Sequence, residues 1–143
     1  MTIVLTLADT RWGNINFASY EAVADSDYPD SPFAVGFILS HVHWPGLRTA
    51  VASAIARGAT AIGFFGRGAN EANDFTDPLV RANASKPAVL TMPFEVDEMA
   101  EALLAFFAAS QASEPLGIAN YVLVTSAESL PELIALVRVS LHV

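Results

Sequence analysis

A polar segment between Gly63 and Pro78 carries the side chains of this sequence that are best suited to chemistry. It follows the apolar run "ATAIGFFG", which predicts a buried strand beginning at Ala59. Carboxylates, an amide and a guanidinium so close together could hold a polar ligand or move a proton. The candidate ligand-binding residues of this segment are Arg67, Asn70, Glu71 and Asp74.

A second polar cluster, His41 and His43, follows another apolar run, Phe33 to Ser40. Ligands of open parallel sheets bind where the carboxyl ends of the strands meet, so we treat both histidines as candidate ligand-binding residues. Residues two apart in an extended segment face the same way, and the two imidazoles could ligate a metal together with a carboxylate of the first segment. Because surface loops often hold such pairs, we expect neither a metal nor a cofactor.

The glycines around Arg67 invite comparison with a phosphate-binding loop. Glycine lets backbone amides approach an anion, and Arg67 could bind it with two hydrogen bonds. A dinucleotide fingerprint needs a third glycine, however, and Glu71 stands at that position after Gly66 and Gly68. The acidic residues that follow would also repel phosphate, so we do not predict a phosphate site.

Asp77 is the candidate for a catalytic residue. The segment around Asp77 is similar to one strand-to-helix turn of nucleoside deoxyribosyltransferases and related glycosidases. In those enzymes a catalytic glutamate precedes a helix that ends in a Lys-Pro pair, and here Asp77 is followed by the pair Lys86 and Pro87. That resemblance implies an alternative function, a small enzyme acting on an N-glycosidic bond or a nucleotide-like ligand, with Asp77 as nucleophile or base beside Glu71 and Arg67. Asp77 followed by Pro78 also has the pattern of a helix N-cap, which is the interpretation we favour.

Strand-like and helix-like segments alternate from Pro32 onward, which predicts a parallel sheet covered by helices. We therefore predict one α/β domain over residues 1–143, a three-layer flavodoxin-like or Rossmann-like fold with four or five mostly parallel strands. Residues 1–32 would form an N-terminal strand and a connector, and residues 33–143 the repeated βα units. The predicted strands are Phe33 to Ser40, Ala59 to Gly66, Lys86 to Met92 and Ile118 to Thr125, and the predicted helices begin at Pro45, Asp77, Asp97 and Ser129.

The stretch from Pro32 to about Ser110 resembles a small bacterial α/β domain family of unknown function. The likeness rests on "SPFAVGFIL", on "GATAIGFFG" with the acidic segment after it, and on "VLTMPFEVDEMAEALLAF". What it implies is a compact intracellular domain with no established activity, and it supplies no catalytic residue.

Composition restricts the class of partner. The net charge of -8 and the pI near 4.6 argue against nucleic acid, whose binding requires clustered Lys and Arg. Apolar runs stay below the roughly 20 residues of a membrane span, so we expect no membrane. The first twelve residues lack the pattern of an export signal, which favours the cytoplasm. The absence of cysteine excludes disulfides.

The C-terminal stretch from Leu133 to Val143 is apolar on more than one face, in a chain with only 15% charged residues. At the end of this stretch apolar and polar residues alternate with period two, which is typical of a strand. Ser129 and Glu132, however, have the spacing of a capping box that begins a helix, and no turn residue separates that helix from the end of the chain. We favour a helix throughout. Such a surface requires burial, so we expect a homodimer or another protein partner, and a non-catalytic binding or assembly module rather than an enzyme.

Overall fold

The computed structural model describes residues 3–20, 28–29, 32–39, 46–82, 89–95, 98–113 and 118–141. Within these ranges the chain forms six strands and four helices. The strands are β1 (Ile3–Thr10), β2 (Gly13–Ser19), β3 (Phe33–Ile38), β4 (Ala59–Phe65), β5 (Leu90–Phe94) and β6 (Asn120–Thr125). The helices are α1 (Leu47–Ala56), α2 (Ala69–Ala82), α3 (Met99–Ser113) and α4 (Leu130–Leu141). None of these helices is long and apolar enough to cross a membrane.

All six strands join one sheet in the order β1-β2-β6-β3-β4-β5. β1 runs antiparallel to β2, and the other neighbouring pairs are parallel. The predicted α/β class with a mostly parallel sheet is confirmed, whereas the predicted count of four or five strands is wrong. The N-terminal region supplies the hairpin of β1 and β2 instead of a single strand.

β2 was missed because Asn14 and Asn16 interrupt its apolar pattern. Both amides are bound within the sheet. The Asn16 Nδ2 group donates to the Tyr121 carbonyl at 3.0 Å, and its Oδ1 accepts from the Thr6 hydroxyl at 2.7 Å. Polar groups that are hydrogen-bonded in this way can be buried at little cost, and Asn16 is indeed buried.

The central strands are buried on both sides, and alternate residues enter two separate apolar clusters. In β4, Ile62 and Phe64 belong to the cluster that includes residues of α1 and α2. Ala61 and Phe65 belong to the cluster that includes residues of α3 and α4. This double burial explains the near-continuous apolar runs from which β3, β4 and β6 were predicted.

Phe106 of α3 belongs to the second cluster and packs against Gly63 of β4 and two aromatic side chains of the sheet. Its ring lies edge-on to Phe65 at a centroid distance of 5.4 Å and to Tyr121 at 6.0 Å. A Cβ atom added to Gly63 would lie 2.8 Å from Cδ1 of Phe106. Gly63 therefore leaves the space that the aromatic ring fills.

The C-terminal stretch is helical through Leu141, as favoured from the sequence. The buried positions Leu130, Leu133, Val137 and Leu141 recur at helical spacing and pack on the second cluster. The helix begins next to the predicted Ser129, but the cap is a different serine. Ser126 Oγ accepts the Ser129 N–H at 3.2 Å, and the Ser126 carbonyl accepts the Leu130 N–H at 3.1 Å.

This geometry predicts that Ser126→Ala lowers the free energy of unfolding by about 0.5–2 kcal/mol, because the Ser129 N–H loses its side-chain acceptor and keeps only the Ser126 carbonyl, at 3.0 Å. Ser129→Ala is the matched control. Its hydroxyl oxygen accepts a bond from Ser126 Oγ at 3.0 Å, so its loss should cost less. Urea denaturation of both variants measures the difference, and a larger loss for Ser129→Ala would restore the cap predicted from the sequence.

Candidate functional site

The candidate site lies at the edge of the sheet where the five parallel strands β2, β6, β3, β4 and β5 all end. Backbone hydrogen bonds continue past the ends of β3 and β4. The Leu39 N–H donates to the Phe65 carbonyl at 2.8 Å, and the Gly66 N–H donates to the Phe94 carbonyl at 3.0 Å. The chain leaving β4 is thus held between its neighbours β3 and β5.

The turn that leaves β4 is formed by Gly66, Arg67 and Gly68. Gly66 has φ of +97° and Gly68 has φ of +91°, conformations that side-chain-bearing residues rarely adopt. At Gly66 there is also no room, because a Cβ atom would lie 2.7 Å from the Leu39 carbonyl oxygen. The turn leads directly into α2, whose first bonds run from the Ala69 N–H to the Gly66 carbonyl and from the Ala72 N–H to the Gly68 carbonyl.

The loop predicted to extend to Pro78 is mostly helix. α2 begins at Ala69 rather than at Asp77, and Pro78 lies inside it. The N-cap interpretation of Asp77 is therefore wrong, as is its placement in a loop after β4. A proline inside a helix removes one backbone hydrogen bond at a cost of roughly 3 kcal/mol, and packing opposes that cost here because Ala69, Ala72 and Thr76 are buried at helical spacing.

The five candidate residues of this segment are solvent-exposed and lie on α2 or on the turn before it: Arg67, Asn70, Glu71, Asp74 and Asp77. The three acidic residues follow each other at three-residue intervals, so they form a row along the outside of the helix. With a rise of about 1.5 Å per residue, Asp77 lies about 12 Å along the axis from the start of α2. The structure therefore separates Asp77 from Arg67 and Asn70 at the edge of the sheet.

Glu95 is a residue of this site that the sequence reasoning missed. It directly follows β5, and its Oε2 accepts the backbone N–H of Asn70 at 3.3 Å. A carboxylate at this position satisfies a free N–H of the first turn of α2 and interacts favourably with the helix dipole. The signal for this role of Glu95 is that β4 and β5 are neighbouring parallel strands, so the residues after them meet.

His41 and His43 lie outside the described residues, as do Lys86 and Pro87. The predicted role of the two histidines at the edge of the sheet stays a prediction. In the part of the chain that the structure describes, no group of three His, Asp or Glu side chains is arranged to hold a metal ion. The described part of the site consists of exposed polar groups around a tight glycine turn.

Comparison with known proteins identifies no relative of this chain: no protein-family model, no curated protein and no solved structure matches it. The resemblances to a bacterial domain family and to nucleoside deoxyribosyltransferases stay predictions. What can be proposed about function therefore depends on the fold and on the placement of its side chains.

Proposed function

We propose that this domain is a non-catalytic binding or assembly module that acts through contact with another protein chain, a second copy of itself foremost. The observation that supports the proposal is the exposure of the candidate residues that the structure describes. These charged and amide side chains are exposed to solvent on α2 and on the turn before it. Charged groups catalyse most effectively where water is excluded, whereas an exposed polar row suits the rim of a protein interface.

The distribution of apolar surface also supports a protein contact. Alanine fills much of the outside of α1 and α3, at Ala52, Ala56, Ala105 and Ala108, and explains part of the low charge content without a partner. Alanine does not explain Val139 of α4, which is 74% exposed. We therefore assign the contact to a localised surface that includes α4 rather than to the whole exterior.

We also propose that the architecture is three-layered and flavodoxin-like in outline. In support, α1 and α2 contribute to one apolar cluster and α3 and α4 to the other. The parallel strands have the order β2-β6-β3-β4-β5. A flavodoxin sheet has the order 2-1-3-4-5, and the two orders coincide if its first strand is moved to the end of the chain.

The proposed location is the cytoplasm, and the proposed partner is a protein rather than a nucleic acid. A net charge of -8 would repel a phosphate backbone. An acidic surface of this kind also keeps the separated chains soluble, so that association can be reversible.

The proposal predicts a mass that rises above the monomer mass of 15.2 kDa as concentration increases, measured by sedimentation equilibrium. Calorimetric titration with nucleosides and nucleotides should show no binding, because the charged and amide side chains of the described site are exposed to solvent. A strictly monomeric mass would contradict self-association. A nucleoside bound with a Kd of about 1 µM and lost in Asp77→Asn would overturn the proposal in favour of the enzyme alternative.

A further inference from the structure

We infer that α4 pairs with α4 of a second copy, antiparallel around a two-fold axis at Ala135. This inference rests on the proposed function and names the surface and the partner. α4 has one side buried against the sheet, and its opposite side carries exposed residues in a self-complementary order. These exposed residues are Pro131, Glu132, Ala135, Arg138 and Val139.

The exposed side of α4 is symmetric about Ala135 in a way that favours antiparallel self-pairing. Glu132 and Arg138 lie three residues before and after Ala135. A two-fold axis at Ala135 reverses the direction of the second helix, so Glu132 lies level with Arg138 of the second copy, and the same pair forms at the other end. A parallel arrangement would instead set Glu132 against Glu132. Charge complementarity therefore selects the antiparallel form.

Size complementarity follows the same symmetry. Ala135 at the centre has the smallest side chain of the exposed set, which allows the two helix axes to approach to roughly 8–10 Å. Four residues from the centre, Pro131 lies level with Val139 of the second copy. Val139 is the most exposed large apolar side chain among the described residues, and the pairing removes part of it from water.

The edges of the sheet offer a poorer route to self-association. β1 carries an extra residue at each of two register shifts, and Asp9 within the second has φ of +56°. Such bulges twist an edge strand away from further pairing. The opposite edge, β5, contains Pro93, which lacks a backbone N–H. Both edges therefore disfavour addition of a strand, and the exposed side of α4 is the better surface.

The expected affinity is low, because the contact is small. A helix of 12 residues is about 18 Å long. Stable interfaces bury at least about 1,200 Å² in total, more than one face of a pair of such helices provides. We therefore expect a Kd in the range of about 10 µM to 1 mM and a marked increase of Kd with salt.

The first test compares two valine substitutions by sedimentation velocity over a concentration series. Val139→Glu should raise the dimer Kd at least about tenfold, because it places a carboxylate in the pairing surface. Val4→Glu is the matched control, since Val4 is also exposed, at 56%, but lies on β1. The control should leave the Kd within about twofold of the unsubstituted protein.

The second test exchanges the charges around Ala135. Glu132→Arg and Arg138→Glu should each weaken the dimer, because each sets like charges level with one another. The double variant should restore the Kd to within about threefold, and circular dichroism checks that every variant is folded. If the protein associates but its dimer Kd is unaffected by Val139→Glu and by both single charge changes, the pairing through α4 is overturned. Self-association through another surface would then remain. A protein that stays monomeric at 1 mM, about the upper limit of the expected range, overturns both.

Discussion

Phe106→Ala should lower the free energy of unfolding by about 3–5 kcal/mol, one of the two largest effects among the substitutions proposed for this protein. Phe106 is fully buried, and its ring contacts the rings of Phe65 and Tyr121 edge-on. Truncation removes these contacts and leaves a cavity between α3 and the sheet. Urea denaturation monitored by circular dichroism measures the loss, and a cost below about 1.5 kcal/mol would indicate that the core collapses around the site.

The contact between Phe106 and Gly63 predicts a strong coupling between the two positions. Gly63→Ala alone should cost about 1–3 kcal/mol, because the new methyl group would lie 2.8 Å from Cδ1 of the ring. In the Phe106→Ala background that ring is absent, so much of this cost should disappear and the coupling energy should reach at least about 1 kcal/mol. Additive effects of the two substitutions would contradict the seating of Phe106 on Gly63.

Gly36 provides the control for this double-mutant cycle. A methyl group there would lie 2.9 Å from Cδ2 of Leu123 but 3.6 Å from the nearest atom of Phe106. Gly36→Ala should therefore remain destabilising in the Phe106→Ala background. Equal coupling at Gly36 and Gly63 would point to a general loosening of the core rather than to one contact.

Most of the parallel sheet could be predicted from the sequence. Its strands are buried on both faces and therefore appear as apolar runs, which can be recognised without knowing the rest of the fold. The run from Phe33 gives β3, and the run from Ala59 gives β4. β2 could not be recognised in the same way. Asn16 can be buried there only because Thr6 and Tyr121 supply its hydrogen bonds, and these partners are visible only after the chain has folded.

The candidate site was located by a general rule and misjudged in its local structure. Residues after β4 were placed at the carboxyl edge of the sheet, which is where Arg67 and Asn70 lie. The pair of Asp77 and Pro78 matched the start of a helix, but packing of Ala69, Ala72 and Thr76 extends the helix back to the strand. A helix cap contributes about 1 kcal/mol to stability, which is less than the combined contribution of several buried residues of the helix. Glu95 was missed because its partner Asn70 is distant in sequence.

The site turn supplies the other large expected effect: Gly66→Ala should lower the free energy of unfolding by about 2–5 kcal/mol. Two causes add at this position. A residue with a side chain is strained at φ of +97°, and its Cβ would lie 2.7 Å from the Leu39 carbonyl oxygen. Backbone atoms held by the hydrogen bond from the Leu39 N–H to Phe65 cannot rotate away as a flexible side chain would.

Gly68→Ala separates the two causes, because Gly68 has a similar φ of +91° but open space where its Cβ would lie. Gly68→Ala should lower the free energy of unfolding only through backbone strain, by about 1–3 kcal/mol. The difference between the two variants in urea denaturation thus measures the contact with Leu39. Equal losses would mean that the turn moves away from β3 at little cost, so that the edge of the sheet is not held rigidly at this point. A larger loss at Gly66 would establish that β3 and β4 jointly fix the turn from which α2 and its exposed polar row begin.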